Sequence, residues 1–212
     1  MAPDPVHSVL LTVGLFALTF LSPGPNLLVV VQASLHSGRP AGIAAGLGVA
    51  AGDAIYAALG LLGMATLIAH SGELFSVAKV IGGVYLLWLA WRLIRRHPAA
   101  RLDADLPMPR RSLGGHFLRG LTTDLANPQT VLFFASIFAV TLSADTPPWA
   151  KLLSWLGILG ASVLWRSLLS VAFSRRRIRA AYGRSQRTIE RIAGSALAGF
   201  GVKLVLDGLW RR

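Results

Sequence analysis

The stretch Phe20–Val31, FLSPGPNLLVVV, places two prolines and a glycine inside an otherwise apolar segment. A proline has no backbone N–H, and its ring clashes with the preceding turn, so a helix does not run unchanged through such a sequence. We therefore predict that a helix is broken at Pro23–Pro25. The break leaves backbone N–H and C=O groups without helical partners, and the rest of the chain indicates what surrounds them.

The overall composition indicates a membrane protein. Of the 212 residues, 54% are hydrophobic and 14% are charged, whereas soluble domains carry about 25% charged residues. The length suits one compact membrane domain over residues 1–212. The chain has no cysteine, which excludes disulfides and thiol chemistry. In a membrane, unpaired backbone groups are tolerated only inside protein or beside a water-filled cavity.

Six apolar segments come close to the length of about 20 residues that spans a bilayer. They cover residues 8–33, 40–69, 74–94, 117–142, 149–173 and 189–209. We therefore predict an all-helical polytopic protein with six transmembrane helices, of which the first and the fourth are broken. The last segment is the weakest, because it contains Lys203 and Asp207, which we expect to reach the membrane edge.

Basic residues predict the orientation of these segments. Fifteen arginines lie at the links on one side, whereas the links on the other side carry only Lys79 and Lys151. The fifteen are Arg39, Arg92, Arg95, Arg96, Arg101, Arg110, Arg111, Arg119, Arg175, Arg176, Arg177, Arg179, Arg184, Arg187 and Arg191. Cytoplasmic links carry the excess of basic residues, so the linker at about 96–116 is predicted to be cytoplasmic and both termini to lie outside. The net charge of +12 then indicates topology and contact with anionic lipids rather than nucleic-acid binding.

A second break falls at a corresponding point of the chain. Residues 124–134, DLANPQTVLFF, interrupt the fourth segment with Asn127 and Pro128. Three spans are an odd number, so the two halves, at about 8–95 and 117–209, run through the membrane in opposite senses. Paired breaks in inverted halves point to the binding site of a secondary transporter. The start of a half-helix favours an anionic group such as a carboxylate.

Segment two combines small residues with a charge. Gly42, Gly46, Gly48 and Gly52 are spaced for close helix contact in lipid, so we predict that another helix, plausibly a broken one, packs tightly there. Asp53 follows them directly. A carboxylate within a membrane usually faces a cavity or a partner.

The sequence leaves three roles open for Asp53: binding a substrate ammonium group, carrying a coupled proton, or forming a structural pair with Arg166 of segment five. Asp124, just before the second break, is either functional or simply solvated at the membrane edge. The five histidines show no metal-ligand spacing. We therefore expect no metal and no other cofactor.

Four stretches carry the most specific patterns: SPGPN, GRPAGIAAGLGVAAGD, VAKVIGGVYLLWLAWRLIRR and FLRGLTTDLANPQTVLFFASIFA. In this order they resemble the LysE/RhtB family of amino-acid exporters, over nearly the whole chain. The resemblance implies a bacterial inner-membrane protein that moves amino acids or close derivatives outward, driven by the proton gradient. By motif position it also implies a transport path lined by Pro23, Gly24, Pro25, Asn26, Asp53, Asn127 and Pro128.

Two positions depart from that family pattern. Gln129 stands where the family often has lysine after the Asn-Pro pair, and Arg166 stands where an uncharged residue is expected. An extra buried cation would change the charge preference for the substrate or neutralise Asp53. Arg166 is therefore included in the candidate site.

We interpret the chain as a secondary transporter and not an enzyme. In this interpretation Asn26, Asn127 and the freed amides hold a substrate carboxylate, and Asp53 takes the ammonium group or the coupling proton. The expected partners are an amino-acid-like solute and membrane lipids, with homo-oligomerisation left open. One alternative is a cation or metal exporter on the same scaffold. Another is a membrane enzyme or a non-transporting adaptor that acts through the arginine-rich links, although the sequence shows no clustered nucleophile and base.

Overall fold

The computed structural model of the protein describes residues 4–20, 24–70, 72–95, 111–142, 146–173 and 176–209. Within these residues the chain forms eight α-helices. In chain order they are α1 (Pro5–Thr19), α2 (Pro25–Ser37), α3 (Arg39–His70), α4 (Gly72–Arg95), α5 (Leu113–Leu125), α6 (Pro128–Thr141), α7 (Pro148–Phe173) and α8 (Arg176–Leu209). The described part of the chain is thus all-helical, as the sequence predicts.

Short helices flank both predicted breaks. α2 starts at Pro25, directly after Gly24, and α6 starts at Pro128, directly after Asn127. Proline suits the first helical position, because the N–H that it lacks would have no partner within the helix. The predicted interruptions of segments one and four are confirmed, since a new helix starts at each of these prolines. Pro23 lies outside the described residues.

Among the described residues, four helices are long and apolar enough to cross a membrane, judged by length and composition. The four spans are Arg39–Gly63, Ser76–Arg95, Pro148–Phe173 and Glu190–Leu209. α1 and α6 are shorter apolar helices. Large apolar side chains on the outer faces include Leu10, Leu59, Leu62, Ile81 and Leu164. An apolar exterior of this kind is expected where lipid rather than water covers the protein.

Helix α3 packs closely against α5, the first half of the second broken segment. A Cβ atom added to Gly48 would overlap the carbonyl oxygen of Phe117, and one added to Gly120 would overlap the carbonyl oxygen of Ala45. Glycines on both helices thus bring the two backbones into direct contact. This confirms the prediction that the glycines of segment two pack against a broken helix.

Helices α4 and α8 also meet at glycines. A Cβ atom on Gly83 would lie 2.8 Å from the carbonyl oxygen of Gly201, and one on Gly201 would lie 2.9 Å from that of Gly83.

Lys79 is buried within α4, where its side chain lies close to Gly208 of α8. Its assignment to an external link was wrong, because α4 begins at Gly72 and Lys79 is about two turns into the helix.

The predicted cytoplasmic linker is in part helical. Residues 96–110 of it lie outside the described residues, and α5 begins at Leu113. Ser112 caps this helix, since its hydroxyl oxygen accepts a hydrogen bond from the backbone N–H of Gly115 at 3.2 Å. Near the other end of the chain, Lys203 and Asp207 are exposed on α8. That they reach the membrane edge stays a prediction.

Phenylalanines join the two broken segments. Phe16 of α1 stacks on Phe134 of α6 with ring centroids 5.6 Å apart, and Phe134 stacks on Phe138 at 5.9 Å. All three side chains are buried. Aromatic pairs of this kind contribute about 0.5–1.5 kcal/mol each beyond the area that they bury. The Phe16–Phe134 contact thus holds α1, the first half of one broken segment, against α6, the second half of the other.

Candidate functional site

A cavity lies where the two broken segments approach each other. Its volume is about 700 Å³, which includes its open mouth. Its polar lining includes Asn26, Asp53, Asn127, Gln129, Thr130 and Arg166. Its apolar lining includes Phe16, Phe20, Phe133, Phe134 and Trp165. Both broken segments and the long helices α3, α4, α7 and α8 contribute to this wall, so the cavity occupies the centre of the helix assembly.

The cavity is lined by five of the eight residues that the sequence analysis assigned to the candidate transport path. They are Gly24, Asn26, Asp53, Asn127 and Arg166. Pro25 and Pro128 are exposed at the first positions of α2 and α6 and do not belong to the lining. Their contribution is to start those helices, and the role of all these residues in transport stays a prediction.

Asp53 and Arg166 form an ion pair across α3 and α7. Arg166 Nη2 donates to Asp53 Oδ2 at 2.7 Å. Ser162 Oγ donates to the same oxygen at 2.6 Å and accepts from Arg166 Nε at 3.1 Å. The Asp53 residue is 2% exposed and Arg166 is 6% exposed. Of the three roles that the sequence left open for Asp53, pairing with Arg166 is therefore present in this structure.

The geometry of this pair leaves binding capacity unused. Both donors to Asp53 bind Oδ2, and the described residues provide no hydrogen bond to Oδ1. Arg166 uses Nη2 and Nε, and no described residue accepts from Nη1. Both side chains line the cavity. The pair therefore offers one carboxylate oxygen and one guanidinium nitrogen to a bound molecule.

Asp124 lies behind the cavity wall, at the end of α5. Asn26 Nδ2 donates to Asp124 Oδ1 at 2.6 Å, and Thr130 Oγ1 donates to the same oxygen at 3.0 Å. Asp124 is 0% exposed. The alternative that it is simply solvated at the membrane edge was therefore wrong, because α2, α3 and α6 enclose it.

Gly52 makes room for this buried carboxylate. A Cβ atom at Gly52 would overlap Asp124 Oδ2 and would lie 2.9 Å from Asp124 Cβ. On the same helix, a Cβ atom at Gly46 would lie 2.9 Å from Arg166 Cβ. The glycines before Asp53 thus bring two polar side chains of other helices against α3.

The start of α6 is held by two side chains. Asn127 caps the helix, since its Oδ1 accepts from the backbone N–H of Gln129 at 3.1 Å. The hydroxyl of Tyr85 on α4 donates to the carbonyl oxygen of Gln129 at 3.0 Å. Because the cap uses only Oδ1 of Asn127, the Nδ2 group is not needed to hold the helix.

Sequence reasoning did not single out Thr130 and Ser162, although both contact a buried carboxylate. For Ser162 a signal existed, since it precedes Arg166 by four residues and residues four apart share one face of a helix. Thr130 follows Pro128 by two residues, and no sequence pattern indicates its contact with Asp124. In the described part of the chain, no group of three His, Cys, Asp or Glu side chains could hold a metal ion.

Comparison with known proteins identifies the family of the chain. The family model for LysE type translocators matches residues 17–208. The chain is 52% identical to the uncharacterized membrane protein YahN of Escherichia coli K12, over 99% of this chain and 94% of that protein. It is 30% identical to the threonine efflux protein of the same strain, over 88% of this chain and 92% of that protein. No solved structure matches the chain significantly.

A third relative is the leucine efflux protein of Klebsiella pneumoniae, which is 34% identical over 60% of each chain. The family match covers the second broken segment, the first one from residue 17 onward, the Asp53–Arg166 pair and every cavity-lining residue except Phe16. It confirms the resemblance that the motifs indicated. The chain belongs to the LysE family of translocators, whose members are membrane transporters and not enzymes.

Proposed function

We propose that this protein exports amino acids with uncharged side chains across the bacterial inner membrane, by exchange for protons. The observation that supports this proposal best is the Asp53–Arg166 pair on the cavity wall. Each partner keeps an atom without a hydrogen bond from the described residues, namely Asp53 Oδ1 and Arg166 Nη1. A free amino acid carries an ammonium group and a carboxylate, which are the complements of these two atoms.

The charge balance of the cavity favours a zwitterion. Asp53 and Arg166 are the charged residues among those that line it. A zwitterion places one cation near Asp53 and one anion near Arg166, so neither charge of the solute is left unpaired. A third charge on the solute would have no counter-charge in the lining, and an unpaired charge away from water is costly. Lysine-like and glutamate-like solutes are therefore expected to bind more weakly.

The remaining lining suits an uncharged side chain. Aromatic rings of Phe16, Phe133 and Trp165 provide apolar surface, while Asn127 and Gln129 provide amide groups. Binding sites for small molecules combine such apolar surface with a few polar groups that fix orientation. Two relatives are named for efflux of threonine and of leucine, which are both uncharged in their side chains.

The proposed architecture is six spans in two inverted halves, with both termini outside and the arginine-rich links in the cytoplasm, next to anionic lipids. Helix contacts support the inversion. α3 of the first half packs against α5 and α6, and α7 of the second half packs against α1 and α2. Each long helix thus contacts the broken segment of the other half. Such reciprocal contacts are expected of two halves related by a two-fold axis in the membrane plane.

The test is uptake of labelled threonine, leucine, lysine and glutamate by inside-out membrane vesicles whose interior is acidified. We expect accumulation of threonine or leucine, loss of accumulation when an uncoupler is added, and little accumulation of lysine or glutamate. Asp53→Asn and Arg166→Gln are each expected to abolish accumulation. Asp207→Asn, which changes an exposed aspartate on α8, serves as the matched control.

Two results would contradict the proposal. One is accumulation of lysine or glutamate at the same level as threonine and leucine. The other is normal accumulation by Asp53→Asn that is inserted in the membrane at wild-type levels. Either would mean that the free atoms of the pair do not select the solute.

A further inference from the structure

Asp124 is a second buried carboxylate, and it differs from Asp53 because no described residue gives it a salt bridge. Among the described residues, no basic side chain forms an ion pair with Asp124. Its hydrogen-bond donors, Asn26 and Thr130, are both uncharged. An ionised carboxylate without a partner is costly within a membrane, and intramembrane carboxylates of this kind commonly relay protons.

The groups that face Asp124 come from four helices. Asn26 approaches from α2, Thr130 from α6 and Gly52 from α3, while the charges of Asp53 on α3 and Arg166 on α7 act on it through space. Asp53 and Arg166 are the charged members of this set, and they already bind each other. Their charges offset one another, so protonation is the direct way in which the charge of Asp124 can be removed.

Asn26 connects this carboxylate to the cavity. Its side chain lines the cavity, whereas Asp124 does not. Asn26 Nδ2 donates to Asp124 Oδ1, while Asn26 Oδ1 and Asp124 Oδ2 are both buried and have no hydrogen-bond partner among the described residues. A side-chain amide has a donor end and an acceptor end, and rotation by half a turn exchanges them. The amide of Asn26 can therefore respond to the protonation state of Asp124.

We propose that Asp124 is the residue that binds the transported proton, and that Asn26 transmits its protonation state to the substrate in the cavity. The proposal rests on the proposed function, because it assigns the coupling step of that export. It gives Asp53 and Asp124 separate tasks: Asp53 binds the substrate ammonium group, and Asp124 binds the proton.

The cycle follows from the hydrogen bonds. Ionised Asp124 accepts from Asn26 Nδ2. Asn26 Oδ1, which is buried in this structure, is then the end of the amide that would accept from the substrate ammonium group. A proton that binds Asp124 from outside makes its carboxyl O–H a donor, and the Asn26 amide turns so that Oδ1 accepts this bond. The donor end of the amide then meets the ammonium group, which weakens binding and releases the substrate outside.

The return step restores the ionised state. Asp124 loses its proton to the cytoplasm, and the Asn26 amide turns back. One proton enters for each amino acid that leaves. Since a zwitterion has no net charge, each cycle moves one positive charge inward, and the membrane potential is expected to drive export together with the pH gradient.

The test compares Asp124→Asn with wild type in two assays on the same vesicles. The first is accumulation driven by an acid interior, and the second is exchange of labelled for unlabelled substrate at equal pH on both sides. Asparagine is nearly isosteric with aspartate, and its carbonyl oxygen can accept from Asn26 Nδ2 as the ionised carboxylate does, but it does not titrate. We expect complete loss of driven accumulation, persistence of exchange, and an exchange rate that no longer depends on pH.

Asn26→Leu is the second variant, because it keeps Asp124 and removes the amide. We expect it also to lose driven accumulation. Asp207→Asn is the matched control and is expected to behave as wild type in both assays. Driven accumulation by either Asp124→Asn or Asn26→Leu at the wild-type level would overturn the proposal. Loss of exchange together with accumulation in both variants, with normal insertion, would overturn it as well, since it would indicate a structural role.

A measurement without substrate separates this proposal from the proposed function. Infrared difference spectra of the purified protein between acid and alkaline pH should contain a carboxylic-acid component that Asp124→Asn loses and that Asp53→Asn and Asp207→Asn retain. If wild type transports no amino acid, this component still decides whether Asp124 binds a proton. Identical difference spectra of wild type and Asp124→Asn would overturn the assignment.

Discussion

Asp53 and Asp124 are two aspartates of nearly equal burial whose surroundings differ in kind. The Asp53 site consists of Asp53, Ser162 and Arg166, and it contains a salt bridge of 2.7 Å. The Asp124 site consists of Asp124, Asn26 and Thr130, and its contacts come from an amide and a hydroxyl. The first site has a fixed counter-charge, and the second has none.

The difference teaches that burial alone does not define the task of a membrane carboxylate. A carboxylate bonded to a guanidinium has its counter-charge in place and can present an anion to a ligand. A carboxylate whose hydrogen-bond donors are uncharged has no bonded cation to stabilise its charged form, so it can exchange a proton. We expect the two sites to respond differently to matched substitutions, and three experiments test this expectation.

The largest effect is expected from Arg166→Gln, because it leaves the Asp53 carboxylate buried without its cation. Removing one partner of a buried pair typically destabilises a protein by about 3–5 kcal/mol. We expect a large fall in the thermal unfolding temperature of the purified protein. At the Asp124 site, Asp124→Asn removes a charge that has no partner, so its unfolding temperature should change little.

The double variant Asp53→Asn with Arg166→Gln sharpens this result. It removes both charges, so it should regain most of the stability lost in Arg166→Gln and still fail to transport. An unfolding temperature as low as that of Arg166→Gln alone would show that the loss comes from packing and not from the stranded charge.

An intermediate effect is expected from the two glycines of α3 that adjoin these sites. Gly52→Ala would drive a methyl group into Asp124 Oδ2, and Gly46→Ala would drive one against Arg166 Cβ. Overpacking of this kind costs about 1–3 kcal/mol. We expect Gly52→Ala to lose proton-driven accumulation while exchange persists, and Gly46→Ala to weaken substrate binding.

Gly160→Ala on α7 is the control for both, since a Cβ atom there would meet nothing within 4 Å. If Gly52→Ala and Gly46→Ala alter driven accumulation and exchange in the same proportion, the separate tasks of the Asp53 and Asp124 sites are contradicted. Unfolding temperature and the two vesicle assays provide the readouts.

The smallest effects are expected from the hydroxyls, Ser162→Ala and Thr130→Val. Each removes one hydrogen bond to a carboxylate, at 2.6 Å for Ser162 and 3.0 Å for Thr130. Net contributions of such bonds are about 0.5–1.5 kcal/mol, and about 1.5–3 kcal/mol where one partner is charged. We expect Ser162→Ala to raise the substrate concentration for half-maximal uptake. Thr130→Val should instead change the pH dependence of accumulation, and a change in substrate affinity alone would count against the division of tasks.

Much of the fold follows from local sequence features. Proline interrupts a helix or occupies its first turn, so the starts of α2 at Pro25 and α6 at Pro128 could be predicted. Long apolar runs predict membrane-crossing helices, because a helix needs about 20 apolar residues to cross the hydrocarbon core of a bilayer. The contact of Asp53 with Arg166 was also foreseeable as one option, because each is a rare charge in an apolar segment.

The Asp124 site could not be predicted in the same way, because it depends on how distant helices pack. Whether Asp124 is solvated or buried is decided by the close approach of α5 to α3 at Gly48 and Gly52. Spacing of glycines predicts that some helix approaches, but it does not say which residue of that helix faces Gly52. Lys79 illustrates the same limit, since its burial depends on the crossing of α4 with α8.

The contact between α3 and α5 has a consequence for motion. Gly48 lies against Phe117, Gly120 lies against Ala45, and Gly52 lies against Asp124. Sliding one helix along the other would bring the Cβ atoms of residues next to these glycines against the facing carbonyl oxygens, so the two helices should move as one rigid body. α3 comes from the first half of the chain and α5 from the second. The hinge that opens the cavity alternately to each side is therefore expected to run between units made of both halves, and not along the boundary that the chain sequence defines.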